Sequence, residues 1–198
     1  MSREQILSAI LNNQPQSTSL PEDLQFDSPA KDVVTEKFSQ MINLIGGKVV
    51  VIQKVEDINL YISEHFTNTD RIVTPIEELD YFTPFTGEEL PHQFVNTEFA
   101  VFKTHFAVAE NGAVWITEDR MGHRVLPFIT QHLGMLVEED QIVATMHDAY
   151  KKMSNNEYGF GTFIAGPSKT ADIEQSLVLG AHGARSMTIF LLKSSAAL

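Results

Sequence analysis

Residues 166–170, Gly166-Pro167-Ser168-Lys169-Thr170, are the segment whose types and spacing point most directly to ligand chemistry. They follow the apolar run 161–165, a predicted strand, and lead into Ala171-Asp172-Ile173-Glu174, whose pattern predicts a helix near 170–179. A helix start beyond a strand offers unpaired N–H groups and the positive end of a dipole, and open α/β sheets bind ligands beyond their strand C-termini. Ser168 and Thr170 would add hydroxyls and Lys169 a charge. The same residues also read as a plain N-cap after a tight Gly166-Pro167 turn. Asp172 and Glu174 complement a helix dipole and repel an anion, so the expected partner is a ligand hydroxyl or a cation rather than a bare anion.

A second candidate is Glu110, between the apolar run 106–109 and an Asn111-Gly112 turn that leads into Ala113-Val114-Trp115-Ile116. Asn-Gly between apolar runs predicts a hairpin, and a carboxylate at its tip could act as nucleophile, base or ligand-orienting group, or be a solvated hairpin glutamate. Arg124, before Val125-Leu126-Pro127, could hold a carboxylate bidentately or be a surface charge. His182, within Gly180-Ala181-His182-Gly183, sits where glycines turn the chain into the last predicted strand. The other histidines, at 65, 92, 105, 123, 132 and 147, lack metal-ligand spacing, which argues against a dedicated zinc site. Neither a G-x-G-x-x-G nor a G-x-x-x-x-G-K-[ST] pattern is present, which argues against ordinary nicotinamide or P-loop nucleotide binding.

The elements that must hold these groups follow from the apolar periodicity. Ser2 and Gln5 form a capping box before a short amphipathic helix with Ile6, Leu7, Ile10 and Leu11, and Pro15, Pro21 and Pro29 mark a linker. Residues 1–29 are therefore read as N-terminal helix and linker, and residues 30–198 as one α/β domain. Within it, a helix from Lys31 ends at Gly46-Gly47 before a strand at 48–52. A helix near 57–66 and a strand at 71–73 follow, and Pro75, Pro84 and Pro91 bracket an irregular lid candidate. A strand near 132–137, a helix near 139–153, the strand at 161–165, the helix near 170–179 and a strand near 187–192 complete an alternation typical of parallel sheets.

With 14 basic and 26 acidic residues the chain carries a formal charge of -12, which opposes nucleic acid and anionic membrane surfaces. The absence of cysteine excludes disulfides, thiol catalysis and iron–sulfur ligation by this chain. No leader-like apolar run opens the sequence, so a cytoplasmic location without membrane insertion is expected.

Taken together, Ala109-Glu110-Asn111-Gly112, the 124–127 stretch, Gly166 to Glu174 and Gly180-Ala181-His182-Gly183 resemble the LUD-domain family over roughly residues 95–193. Asn111, Lys169 and Ala184 depart from that family's usual threonine, arginine and proline. The resemblance implies a three-layer α/β/α sandwich similar to the sugar-phosphate isomerase and coenzyme A transferase superfamily. It further implies a role in oxidising L-lactate to pyruvate beside separate iron–sulfur subunits, with no cofactor bound by this chain alone. A small carboxylate or phosphorylated ligand would sit between Glu110, Asn111, Gly112 and Arg124 on one side and Gly166, Pro167, Ser168, Lys169, Thr170, Asp172, Glu174, His182 and Gly183 on the other. The likeness of Glu110-Asn111-Gly112 to a transferase motif implies an alternative, acyl or coenzyme A transfer with Glu110 as nucleophile. A plain interaction module is the third reading.

Overall fold

The computed structural model describes residues 2–19, 29–80, 83–86, 88–153, 158–170, 178–179 and 183–194. In chain order the elements are α1 (Arg3–Asn12), α2 (Lys31–Leu44), β1 (Lys48–Ile52), α3 (Asp57–His65), β2 (Ile72–Val73), β3 (Phe99–Lys103), β4 (Phe106–Val108), β5 (Ala113–Thr117), α4 (Leu126–Ile129), β6 (His132–Glu138), β7 (Ile142–Val143), α5 (Met146–Met153), β8 (Gly161–Ile164), β9 (Lys169–Thr170), β10 (Val178–Leu179) and β11 (Ser186–Leu192).

Five of the strands form one sheet in the order β1-β11-β6-β3-β2, with every neighbouring pair parallel. Strands buried on both faces read as continuous apolar runs, which is how Phe99-Ala100-Val101-Phe102 and Met187-Thr188-Ile189-Phe190-Leu191 are written. One face, through Phe99, Val101, Leu136 and Phe190, packs on Ile58 and Ile62 of α3. The other, through Phe102, Met135 and Ile189, packs on Phe38 and Ile42 of α2 and on Ala107, Val114 and Ile116 of a second sheet. Complete burial of a side chain such as Phe38 contributes roughly 1.5–3 kcal/mol.

The second sheet runs β7-β4-β5-β8, with β4 and β7 parallel and the other pairs antiparallel. Its outer face, with Phe106, Val108 and Trp115, is covered by Ala149, Met146 and Met153 of α5. The α/β class and the 106–117 hairpin agree with the sequence pattern; the second sheet is an addition to it.

Three expectations are corrected. The helix near 139–153 begins only at Met146. Ile142 and Val143 prefer the sheet, pairing with Ala107 and Val108, and Thr145 with Asp148 forms a reciprocal cap at the helix start. The helix near 170–179 does not start at Thr170, because Lys169 and Thr170 pair antiparallel with Leu179 and Val178; residues 171–177 lie outside the described residues. The closing alternation is not all parallel, since β8 belongs to the second sheet and runs antiparallel to β5.

The N-terminal capping box is present: Gln5 N–H donates to the Ser2 hydroxyl and Ser2 N–H to the Gln5 side-chain oxygen. α1 buries none of its residues. Of the linker segment, residues 20–28 lie outside the described residues. No described helix is long and apolar enough to cross a membrane.

Candidate functional site

Gly166 leaves β8 at φ +72°, a left-handed conformation that turns the chain across the N-terminal edge of the parallel sheet. There Ser168 N–H donates to the Ala184 carbonyl at 2.8 Å, just before β11, and Arg185 N–H donates to the Gln131 carbonyl at 2.8 Å, just before β6. Gly166, Pro167, Ser168 and Gly183 line one cavity of about 240 Å³, together with Leu133, Pro127 and Phe128. A Cβ placed on Gly183 would sit 3.1 Å from that of Ser168, so glycine lets the two segments touch. This cavity therefore lies at the strand N-termini of the parallel sheet, the opposite edge from the one expected of an open α/β site. Lys169 is exposed and lies against Gly46, at the end of α2.

The Glu110 turn reaches the same neighbourhood but does not face Ser168 across open space. Ile45 fills the interval: a Cβ on Gly112 would lie 2.9 Å from its Cδ1, and one on Gly166 would lie 3.1 Å from its Cγ1. Glu110 itself turns toward α5, where its Oε2 accepts the Met146 N–H at 2.8 Å, placing a carboxylate at a helix N-terminus. The Asn111 side-chain oxygen accepts the Ala113 N–H at 3.0 Å and braces the hairpin.

Arg124 is engaged elsewhere. Its Nε donates to Glu118 at 2.5 Å, its Nη2 pairs with the same carboxylate, and its guanidinium lies 5.7 Å from the Phe160 ring centroid. Glu118 in turn accepts the Phe160 N–H at 3.1 Å. Thr170 is described only as a strand residue, and Asp172, Glu174 and His182 lie outside the described residues. Of the proposed set, then, Gly166, Pro167, Ser168 and Gly183 come together in one cavity.

A second constellation, at the C-terminal edge of the parallel sheet, escapes sequence reasoning. His105 follows β3, and its Nε2 lies 2.5 Å from the Thr117 hydroxyl at the end of β5. That hydroxyl donates to Asp119, and Arg120 donates to the Thr104 carbonyl at 2.5 Å. Burial holds the His105 pKa below the ordinary imidazole value, reinforced by the Arg120 charge and opposed by Asp119. For Asp119, burial pushes upward, but the Thr117 hydroxyl and the His105 and Arg120 charges leave it below the usual carboxylate range. The sequence signal was weak: a lone histidine, a threonine 12 positions on and an Asp-Arg pair become neighbours only once β4 and β5 fold back.

Comparison with known proteins agrees with the geometry of the fold. The family model described as LUD domain matches residues 64–192. Lactate utilization protein C of Bacillus pumilus is 30% identical over 91 residues, covering 43% of this chain and 38% of that protein. Lactate utilization protein C of Oceanobacillus iheyensis is 28% identical over 91 residues, covering 43% and 39%. The chain thus spans under two fifths of the length of these curated relatives. The crystal structure of a DUF162 family protein from Deinococcus radiodurans superposes with a TM-score of 0.65 at 15% identity, over 83% of this chain and 99% of that one, a likeness of fold.

Proposed function

Since the chain belongs to the LUD domain family, we propose that it serves a lactate-utilisation system, as a subunit or accessory protein for the oxidation of L-lactate to pyruvate. The observation that carries this reading is the match to two proteins named for lactate utilisation. Oxidising a hydroxyl to a ketone releases two electrons, and a chain without cysteine supplies no thiolate to hold an iron–sulfur cluster. In this reading the clusters sit on partner subunits, and the chain works in the cytoplasm without inserting into a membrane.

The ligand in this proposal is a small carboxylate or phosphorylated molecule at the cavity of Gly166, Pro167, Ser168 and Gly183, to which Ser168 contributes a hydroxyl-bearing side chain. The alternative of acyl transfer through Glu110 requires that carboxylate to leave the Met146 N–H it now accepts. Hydroxylamine trapping with acyl-coenzyme A would label Glu110 if it did so; the lactate reading expects no label.

The direct test is growth. A clean deletion in a host without another lactate dehydrogenase is expected to stop growth on lactate, and a plasmid copy to restore it. Normal growth of the deletion strain would remove the assignment.

A further inference from the structure

At the N-terminal edge of the parallel sheet, on the face covered by α3, three polar side chains from adjacent strands meet. His132 opens β6, Ser186 opens β11 beside it in register, and Glu98 precedes β3 on the other flank. Strand alternation turns His132 to the face opposite Leu133, and so away from the Gly166 cavity; its ring centroid lies 6.0 Å from that of Phe66. We infer that Ser186, His132 and Glu98 form a nucleophilic triad that hydrolyses small carboxylic esters. The inference goes beyond the role in lactate utilisation and does not depend on it.

The order of the three groups is that of an activated serine. The Ser186 hydroxyl lies 2.7 Å from His132 Nδ1, and Glu98 Oε1 lies 3.5 Å from His132 Nε2. A neutral imidazole carries one N–H and a carboxylate only accepts, so Glu98 draws that proton to Nε2. Nδ1 is then an acceptor, and Ser186 donates its hydroxyl proton to it. Nucleophile and base are within the distance that proton abstraction requires, and the base is oriented by a third group. Among the described residues neither the Ser186 hydroxyl nor the Glu98 carboxylate has another side-chain partner.

The surroundings admit a substrate. His132 and Glu98 keep 33% and 41% of their side chains exposed, so both an ester and the water that completes hydrolysis reach them. Phe66 and Tyr61 stand on the same face, the Tyr61 hydroxyl 3.2 Å from that of Thr188, and offer an apolar wall to the ester's carbon chain. Lys48 pairs with Thr188, two residues past Ser186, and its ammonium lies 5.3 Å from the Tyr61 ring centroid. Strand spacings put the Lys48 and Ser186 Cα atoms roughly 8 Å apart, a span that a lysine stem covers, so Lys48 supplies a cation for a developing oxyanion. A site this open suits an ester, whose carbonyl is attacked more readily than that of an amide.

The steps balance with water as the second substrate. Ser186 Oγ attacks the ester carbonyl carbon while its proton passes to His132 Nδ1. The bond from that carbon to the alcohol oxygen then breaks, Nδ1 returns the proton to the departing alcohol, and the acyl group stays on Ser186. Water attacks the acyl carbon, giving its proton to Nδ1, and Ser186 Oγ leaves and recovers it. Glu98 is the positioning residue: it holds Nε2–H and stabilises the imidazolium formed in each half.

The full chain would be treated with a fluorophosphonate, which reacts with activated serines, and assayed for saturable hydrolysis of p-nitrophenyl acetate and butyrate. One covalent adduct is expected, mapped to Ser186 by mass spectrometry, and both labelling and hydrolysis should vanish in Ser186→Ala. His132→Gln should lower kcat by about a hundredfold or more, the usual contribution of a general base. Glu98→Gln should lower kcat about tenfold with KM unchanged, and Glu98→Asp should recover part of it; a purely structural carboxylate would shift the thermal melt and leave kcat alone. A wild-type protein that takes no label and hydrolyses neither ester above the buffer rate would overturn the triad, as would hydrolysis that persists in folded Ser186→Ala. Wild-type kcat in Glu98→Gln would overturn the role of Glu98.

Discussion

At the N-terminal edge of the parallel sheet, Gly112, Gly166 and Gly183 let three segments approach Ile45 and Ser168 at van der Waals distance. At the C-terminal edge the contacts are charged: Lys103 bridges Glu138 at 2.7 Å, Lys193 bridges Glu139 at 2.5 Å, and His105, Thr117, Asp119 and Arg120 form one connected cluster. The first edge derives its order from close packing and the second from polar groups whose hydrogen bonds fix their orientation. Packing tolerates little added volume, whereas an oriented polar cluster tolerates substitution at a more modest cost in stability.

Substitution at the packed edge should give the largest loss. Gly166→Val places a β-branched residue at φ +72° against Ile45, and should cost about 3 kcal/mol in urea unfolding. A loss below about 1 kcal/mol would mean that the 166–170 turn is loosely held and free to rearrange around a ligand.

At the polar edge, Thr117→Val removes the hydroxyl shared by His105 and Asp119 and should cost about 1–2 kcal/mol. A double-mutant cycle with His105→Asn should show coupling between the two positions; independent effects would break the connected cluster into isolated contacts.

Back at the packed edge, Glu110→Gln replaces the carboxylate at the start of α5 and should cost about 0.5–1 kcal/mol, less at high salt. Unfolding curves that shift equally at low and high salt would remove the dipole argument.

The smallest effect is a pH dependence confined to the polar edge. His105 has a lowered pKa in the folded state, so it takes up a proton more readily when unfolded. Stability should therefore be unaffected above the unfolded value near 6.5 and fall as pH drops below it, levelling off below the folded value. Asp119 opposes this loss, and Arg120 and Lys152 reinforce it. Thermal melts between pH 7.5 and 5 should slope less in His105→Asn than in the wild type, and parallel slopes would assign the acid sensitivity to other groups.

Much of the packed edge was legible in the sequence. Gly46-Gly47 after an apolar helix marked the end of α2, where Gly47 N–H reaches the Ile42 carbonyl at 2.9 Å, and Asn111-Gly112 marked the hairpin. The interior strand β3 has no boundary of its own in the sequence, because only Thr104 and His105 separate its apolar run from that of β4, although the two strands enter different sheets. Periodicity records which residues are buried, but the sheet in which they are buried is a long-range fact. The edge at which the Gly166 segment lies is hidden for the same reason: its strand does end there, yet β8 pairs with β5 and delivers the turn to the opposite edge of the parallel sheet. The His105 cluster joins groups from the ends of β3 and β5, so no local pattern could show it.

The position of β11 has a further consequence for how the chain reaches its native state. It lies between β1 and β6, so Lys48 finds its partner only in Thr188, across most of the described sequence. During vectorial synthesis β1 must wait, with an apolar face and an unpaired edge, until residues 186–192 exist. Such late, distant pairing slows folding and prolongs exposure to aggregation. Substitutions that weaken the hold of α2 on β1 should then lower the yield of folded protein in cells more than they lower its equilibrium stability.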